Sequence, residues 1–164
     1  MALPNKVLPG FSAQLYCQPT ASPTPLAVSA LSTVASVAAI AVDANIIPVE
    51  AIPAFGQDDA VASFAVAGSR QSDKIPVQAA PTSMTITAAW NPSDANLLLM
   101  RGDAYSGVVD RTFVISATDG TGIVYYAFNG RVGQFDIDSA PGAEAKCTFT
   151  IHPRGNQYGW SNNA

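Results

Sequence analysis

The five residues Thr118-Asp119-Gly120-Thr121-Gly122 constrain the fold more than any other stretch of the chain. They separate two strand-like runs, Arg111–Ala117 and Ile123–Asp138. Asp-Gly tolerates the positive φ angles of a tight hairpin turn, so the two runs are expected to pair antiparallel. In the first run Phe113 and Ile115 alternate with Thr112 and Ser116. A third run, Ala143–His152, alternates more strictly: Ala145, Cys147, Phe149 and Ile151 share one face, and Lys146, Thr148, Thr150 and His152 the other. That is the pattern of a half-buried antiparallel strand. Ser83–Trp90 puts Met84, Ile86 and Trp90 on one face at a period of two. Gly130 and Gly133 inside the long run mark a bulge or a close backbone approach, and Ser139-Ala140-Pro141-Gly142 reads as a turn.

Between these strands the pattern changes. Asn91 is a plausible N-cap, Pro92 suits the first helical position, and Asp94 favours the positive end of the helix dipole. Leu97, Leu98 and Arg101 carry the turn and Gly102 can close it, which predicts a helix over 92–101. Residues 1–12 read as an arm, because Pro4, Pro9 and Gly10 oppose regular structure. Ala13–Cys17 is a short strand and Gln18–Pro25 a Pro/Ser/Thr loop. Leu26–Asp43 is ambiguous: its alanines favour helix, while Val34, Val37, Ile40 and Val42 favour strand. Val49–Phe55 continues extended. The stretch 56–81 has no sustained period and reads as a long inter-strand loop, within which Val61–Val66 can form a strand of a long hairpin. It carries Asp58, Asp59, Arg70, Asp73 and Lys74. Residues 153–164 read as a second arm, in which Tyr158 and Trp160 are too apolar to stay free and are expected to dock on a neighbour or on the domain itself. One domain, 13–152, is expected between the arms: an antiparallel β-sandwich or partial barrel flanked by one short helix.

The chain has 164 residues, enough to bury a core of its own. It is 48% hydrophobic but only 12% charged, about half the usual charged share, so part of its surface is expected to be covered by other subunits. The net charge is −4 and the basic residues are scattered, which argues against grasping nucleic acid. Cys17 and Cys147 have no paired spacing and read as reduced thiols of a cytoplasmic protein. The start Met1–Lys6 is broken by Pro4 and does not resemble a secretory signal. Leu26–Val42 is uncharged, yet Ser29, Ser32, Thr33 and Ser36 interrupt it, so no membrane span is expected.

No enzyme is expected. The single histidine, His152, lies on the polar face of its strand, and no nucleophile elbow surrounds any serine. Asp103, Asp110 and Asp119 lack calcium-loop spacing and read as solvated turn residues. Gly120-Thr121-Gly122 and Gly130–Gly133 are not phosphate loops, since no helix follows either. Neither a metal nor a cofactor is implied.

The order of elements over Ser83–Asp138 resembles the tail tube proteins of long-tailed, lambda-like phages. The resemblance rests on the strand Thr85-Ile86-Thr87-Ala88-Ala89-Trp90, on Asn91-Pro92 and a helix rich in Leu97 and Leu98, and on the Arg111–Asp136 hairpin with its small-residue break. It implies a structural, non-enzymatic subunit, assembled in the host cytoplasm into stacked hexameric rings of a virion tail whose lumen conducts genomic DNA. The implied partners are further copies of the chain, the tape measure, terminator and tip proteins of the tail, and double-stranded DNA in transit. The same fold class occurs in contractile-tail and secretion tubes. The resemblance requires a long strand early in the chain, which assigns Val34–Ile47 as a strand ended or placed at an edge by Pro48. It also implies that the loop 56–81 reaches a neighbouring ring, which makes Asp58, Asp59, Phe64, Arg70, Asp73 and Lys74 candidates for ring stacking. Leu3, Val7, Leu8, Phe11, Tyr158 and Trp160 are candidate arm contacts.

Asp136 and Asp138 alternate with Phe135 and Ile137, so both carboxylates lie on one face beside Gln134. One reading is a solvated outer face. The other is the wall of a channel: DNA carries one negative charge per ~1.7 Å of axis, and a bore that conducts it should carry acid rather than lysine or arginine. Asp43 and Glu50, on the other long strand expected, fit the same role. The alternative function is a β-sandwich module binding carbohydrate or protein, such as a tail-tip or adhesin domain, with Trp90, Trp160, Tyr125 and Tyr126 stacking on sugar rings. Against it, Trp90 falls on the expected core face of its strand, with Met84 and Ile86.

Overall fold

The computed structural model describes residues 12–21, 23–65, 72–118, 122–139, 141–154 and 159–163, with only the backbone described for 12, 57–65, 72–80 and 159–163. Nine strands are described: β1 (Ser12–Cys17), β2 (Ile46–Ile47), β3 (Gln57–Ala65), β4 (Ser72–Pro81), β5 (Met84–Ala89), β6 (Asp110–Thr118), β7 (Ile123–Asp138), β8 (Lys146–Pro153) and β9 (Gly159–Asn163). Two helices accompany them, α1 (Val34–Ala38) and α2 (Ala95–Ser106). The main sheet runs β2-β1-β6-β7-β8-β5, with β9 also on β7, and every pairing is antiparallel. The fold is mainly β, a curled partial barrel flanked by one main helix, as the alternation in the sequence implied.

β7 is the spine. Its first part pairs with β6, from Ile123↔Thr118 to Arg131↔Asp110, and its second part pairs with β8, from Gly130↔Pro153 to Asp138↔Lys146. β9 continues past β8 along the same edge, from Ala127↔Gly159 to Ile123↔Asn163. The two glycines sit where the strand changes partners. A Cβ at Gly130 would lie 2.9 Å from Ile151 Cγ2 and 3.2 Å from the His152 carbonyl oxygen. The β7–β8 register shifts between Gly133 and Phe135, and the His152 ring lies directly over Gly133. Both the bulge and the close approach expected of these glycines are present.

The sheet is drawn round by five residues. Ile46 and Ile47 pair with Tyr16 and Leu15 of β1, and Val49 then bridges to Ala88 of β5. The Ala89 N–H donates to the Pro48 carbonyl at 3.0 Å, and the Glu50 N–H donates to the Thr87 carbonyl at 2.9 Å. This tie joins β1 to β5, the strands at opposite sides of the sheet. The interior it encloses is filled by Leu15, Met84, Ile86, Phe113, Phe128 and Phe149 together with Leu97 and Met100 of α2. Phe135 stacks on Phe149 at 5.8 Å and meets the Trp90 ring edge-on at 5.7 Å.

Both faces of β6 are buried from Arg111 to Ser116. The outer face of β1, β6 and β7, with Tyr16, Val114, Tyr125 and Ala127, is covered by Leu31, Val37 and Ile40. This corrects the strand expected over Val34–Ile47: only Ile46–Ile47 pairs, and Val34–Ala38 is helical. The need to cover an apolar sheet face outweighs the β-propensity of the valines, and the alanines accommodate the turn. Polar side chains fasten this cover. Thr112 and Asn129, opposite each other on β6 and β7, grip Leu26: its N–H donates to Thr112 Oγ1 at 2.9 Å, and its carbonyl accepts from Asn129 Nδ2 at 2.8 Å. Asn96 Nδ2 donates to the carbonyls of Ala44 and Ile46, each at 3.0 Å.

The helix is also displaced from its expected 92–101. Asp94 is the N-cap, its Oδ1 accepting from the N–H groups of Asn96 (2.9 Å) and Leu97 (3.1 Å). Asn91 instead closes a local turn, accepting from the Ser93 N–H at 2.9 Å. The helix runs through Gly102 and stops at Gly107, which takes the left-handed φ of 65° that glycine adopts without cost. Asp103, expected to be a solvated turn residue, lies on the buried side of α2 and forms a two-pronged ion pair with the fully buried Arg111: Nε–Oδ2 is 2.7 Å and Nη2–Oδ1 3.1 Å. Asp110 is likewise no free turn residue, since it pairs with Arg131 at 2.9 Å and Arg154 at 3.3 Å. Asp119 lies outside the described residues.

Candidate functional site: the polar face of the curled sheet

The strict alternation of β8 creates this surface. Cys147, Phe149 and Ile151 turn into the core, so Lys146, Thr148, Thr150 and His152 turn out. Register then places Thr87 and Asp136 on either side of Thr148, Thr85 and Gly133 on either side of Thr150, and Ala89 and Asp138 on either side of Lys146. The result is a threonine ladder edged by carboxylates, with Thr85 Oγ1 3.4 Å from Thr150 Oγ1. Gln134, Asp136 and Asp138 are all exposed, and Gln134 Nε2 donates to Asp136 Oδ2 at 2.6 Å.

The cations of this face are occupied. Lys146 Nζ lies 2.5 Å from Glu50 Oε1. The hydrogen bond and charge of Glu50 raise the Lys146 pKa above its ordinary value. Arg131, opposite His152 in register, is held by Asp110 and by the carbonyls of Gly107 and Val108, at 3.0 and 3.2 Å. Neither Asp136 nor Asp138 is ion-paired among the described residues. The structure thus brings Gln134, Asp136 and Asp138 together and reaches Glu50 through Lys146. It does not bring Asp43 there: Asp43 opens a short 3-10 turn, Asp43–Asn45, in the segment covering the opposite side of the sheet. Sequence reasoning passed over Lys146 and the threonines. Their signal was the alternation itself, which fixes the side but not the neighbouring strands.

The second element of interest is the hairpin of β3 and β4. Register runs from Gln57↔Pro81 to Ala65↔Ser72 with a shift at Ala60/Val61, and the pair forms a two-stranded sheet of its own. The sequence reading allowed such a hairpin strand at Val61–Val66, and β3 covers Gln57–Ala65. Asp58 and Asp59 lie near its base, opposite Ala80 and Ala79, while Phe64 is opposite Asp73, and Ser63 opposite Lys74, near its far end. Strands of this length span about 30 Å. An isolated two-stranded hairpin is marginal in water. Arg70, Leu3, Val7, Leu8, Phe11 and Tyr158 lie outside the described residues, and Trp160 falls on β9 opposite Tyr126.

Other chemistry has little to stand on. Ser83 Oγ lies 2.8 Å from His152 Nδ1 on the exposed strand face. The other ring edge is wedged on the β7 backbone, 2.6 Å from where a Gly133 Cβ would be, rather than facing a cavity. Among the described residues no group of three His, Cys, Asp or Glu side chains can hold a metal ion, and no helix is long and apolar enough to cross a membrane. Both cysteines are free and buried; burial pushes the Cys17 thiol up to about 12. Of the aromatics considered for sugar stacking, Trp90 packs against the core through Phe135, Tyr126 meets Phe55 edge-on at 5.2 Å, and Tyr125 is buried under the outer cover.

No protein-family model matches the chain, and no curated protein matches it. Solved structures do share its fold. A chain of the six-fold symmetrised anti-feeding prophage baseplate aligns with a TM-score of 0.60 at 12% identity, over 94% of this chain and 95% of that one. The SPP1 tail tube aligns with a TM-score of 0.54 at 11% identity, over 93% of this chain and 76% of that one. The tail of a GTA particle, refined with C6 symmetry, aligns with a TM-score of 0.50 at 12% identity, over 73% and 85%.

Proposed function

We propose that this chain is a structural subunit of a phage tail tube, assembling as hexameric rings that stack around a lumen through which genomic DNA passes. The observation that carries the proposal is the fold likeness, spanning 93% of the chain or more for two neighbours, to components of a six-fold baseplate and a tail tube. Two features of the protomer support it. The polar face of β5, β8 and β7 offers a passing polyanion unpaired carboxylates and no unpaired cation among the described residues, which suits a lumen wall lined by Gln134, Asp136 and Asp138 with Glu50 behind Lys146. The β3–β4 hairpin, too short-handed to be stable alone, suits insertion against the next ring, with Asp58, Asp59, Phe64, Asp73 and Lys74 on it. A heterologous contact that closes gives a ring, and repetition along the axis gives a tube. In this reading the other tail components, the tape measure, terminator and tip proteins, meet the same ring surfaces, and the assembled product resides in the virion tail. The sugar-binding alternative loses its principal aromatics to the two cores.

Negative-stain microscopy of the purified chain, concentrated or seeded with tail tips, should show six-fold rings or hollow tubes. A strictly monomeric particle under both conditions, or clear binding on a glycan array, overturns the proposal.

A further inference from the structure

The curled sheet is not filled to its end. Where β1 begins, a half-open cavity of about 570 Å³ penetrates between the sheet and the Glu50–Phe55 connection. It exists because the inward residues there are small: Ala13 faces Ala117, and Ala117 faces Val124, across three neighbouring strands. One pair deeper, Leu15, Ile115 and Tyr126 restore full-sized packing. Ile52 and Phe55 form the far wall, and Glu50 is the one charged residue on the lining. At the same end, among the described residues, the edge of β1 away from β6 is paired only at Leu15 and Tyr16, which leaves Ser12–Gln14 without a strand neighbour. An apolar hollow and an unpaired strand edge in one place are both costs that a further segment of chain relieves.

We propose that this cavity seats the N-terminal segment of this polypeptide, residues 1–11. Three features of the sequence fit it to that place. The segment joins β1 at Ser12, one residue from Ala13 on the cavity floor. Pro9-Gly10, a strong turn signal, lets the residues before it double back over the sheet end. Leu3, Val7 and Leu8 supply apolar side chains to match Ile52, Phe55 and Val124 on the lining. Eleven residues reach at most about 40 Å, which serves the chain's own cavity or that of an adjacent subunit. The proposal deepens the tail-tube reading, where it gives the arm a receptor, but the seat stands on packing alone.

Hydrogen exchange on the full-length chain tests it, followed by mass spectrometry. Amides of residues 2–11, prolines aside, should exchange at least tenfold more slowly than in a free peptide of the same sequence. Ala117→Phe, which fills the hollow, should abolish that protection. Leu8→Asp with Val7→Asp, which alters only the arm, should do the same and guards against a folding defect in the cavity variant. Protection that survives dilution assigns the arm to its own subunit, and protection that dilution removes assigns it to a neighbour; either sustains the seat. Exchange at the free-peptide rate at every concentration overturns it, as does protection indifferent to both variants. Hollow tubes with an unprotected arm would refute the seat and leave the tube reading intact, whereas a protected arm in a chain that never assembles would do the reverse.

Discussion

Arg111 offers the sharpest test of how this fold is held together. Its side chain is fully buried and spends its donors on Asp103 and on the carbonyls of Gln18 and Thr20, the latter at 2.6 Å. It therefore ties α2, β6 and the loop after β1 at one point. Asp103→Asn keeps the shape of the partner but leaves a guanidinium charge uncompensated in the interior, which costs about 3–5 kcal/mol. Against a total stability of about 5–15 kcal/mol, that is a fifth or more of what a domain of this kind has. With a urea slope of about 2 kcal/mol per molar, the unfolding midpoint should drop by about 2 M, read by Trp90 fluorescence and far-ultraviolet circular dichroism. The double variant Asp103→Leu with Arg111→Met removes both charges at once. It should be less destabilised than Asp103→Asn alone, because the two carbonyls it abandons are only partly buried and water can replace the guanidinium there. A loss below about 1 kcal/mol for Asp103→Asn, or a double variant whose cost equals the sum of its singles, would refute the reasoning.

Other outcomes follow from the same contacts. Gly133→Ala should cost about 1 kcal/mol by pushing the His152 ring off Ser83, and His152→Ala should rescue it; Gly130→Ala should have no such rescue, since the His152 backbone stands in its way. The thiol of Cys17 ionises near 9.0 when unfolded but near 12 when folded. Between those values the folded state retains a proton that the unfolded state has released, so stability falls as pH rises, by on the order of 4 kcal/mol in total, and Cys17→Ala should flatten that alkaline slope in urea titrations at pH 8.5, 10 and 11. Asp136→Lys with Asp138→Lys should leave ring formation intact yet slow DNA delivery in an infectivity assay; unchanged infectivity would remove both residues from the lumen.

The strands that could be read from the sequence were those with one wet face. β8 and β5 expose alternate residues to solvent, so their period of two survives in the composition, and the Trp90-to-Asp138 succession followed in order. The cover over the outer sheet face was misassigned because its valines and alanines do not show which side is wet: Leu31 and Val37 are fully buried, and apart from Tyr16 the sheet residues they bury against, Val114, Tyr125 and Ala127, lie more than 70 residues away. The helix start failed for a local reason. Asn91 and Asp94 both carry capping side chains three residues apart; Asn91 closes its own turn on the Ser93 N–H, and Asp94 is left to cap the Asn96 and Leu97 N–H groups. Asp103 looked like a surface carboxylate because its partner, eight residues on, belongs to a different element. On the candidate face the carboxylates were legible from parity, whereas the pairing of Lys146 with Glu50 needed the closure of the sheet by 46–50.

That closure also bears on what a single protomer can do by itself. In the described part of the chain Arg111 is paired with Asp103, Arg131 and Arg154 share Asp110, Lys146 holds Glu50, and Arg101 stacks on the Tyr105 ring at 5.7 Å. Asp136 and Asp138 are left over on the polar face, and Glu144, exposed just before β8, adds its charge near Lys146. Two unit charges about 10 Å apart in water interact by about 0.4 kcal/mol, less than thermal energy, so one copy of this face neither attracts nor repels DNA to any useful degree. The sixfold repetition proposed above would change the arithmetic without changing any contact. On the proposed reading the same carboxylates would line a ring on all sides, the enclosed solvent would screen them less than open water does, and stacking would extend the potential along the axis. A polyanion centred in such a bore meets a weak, uniform repulsion and no site at which to stop. On that proposal the requirement on this surface is that each cation be matched, which the ion pairs of Lys146 and Arg131 satisfy, rather than that acids be abundant.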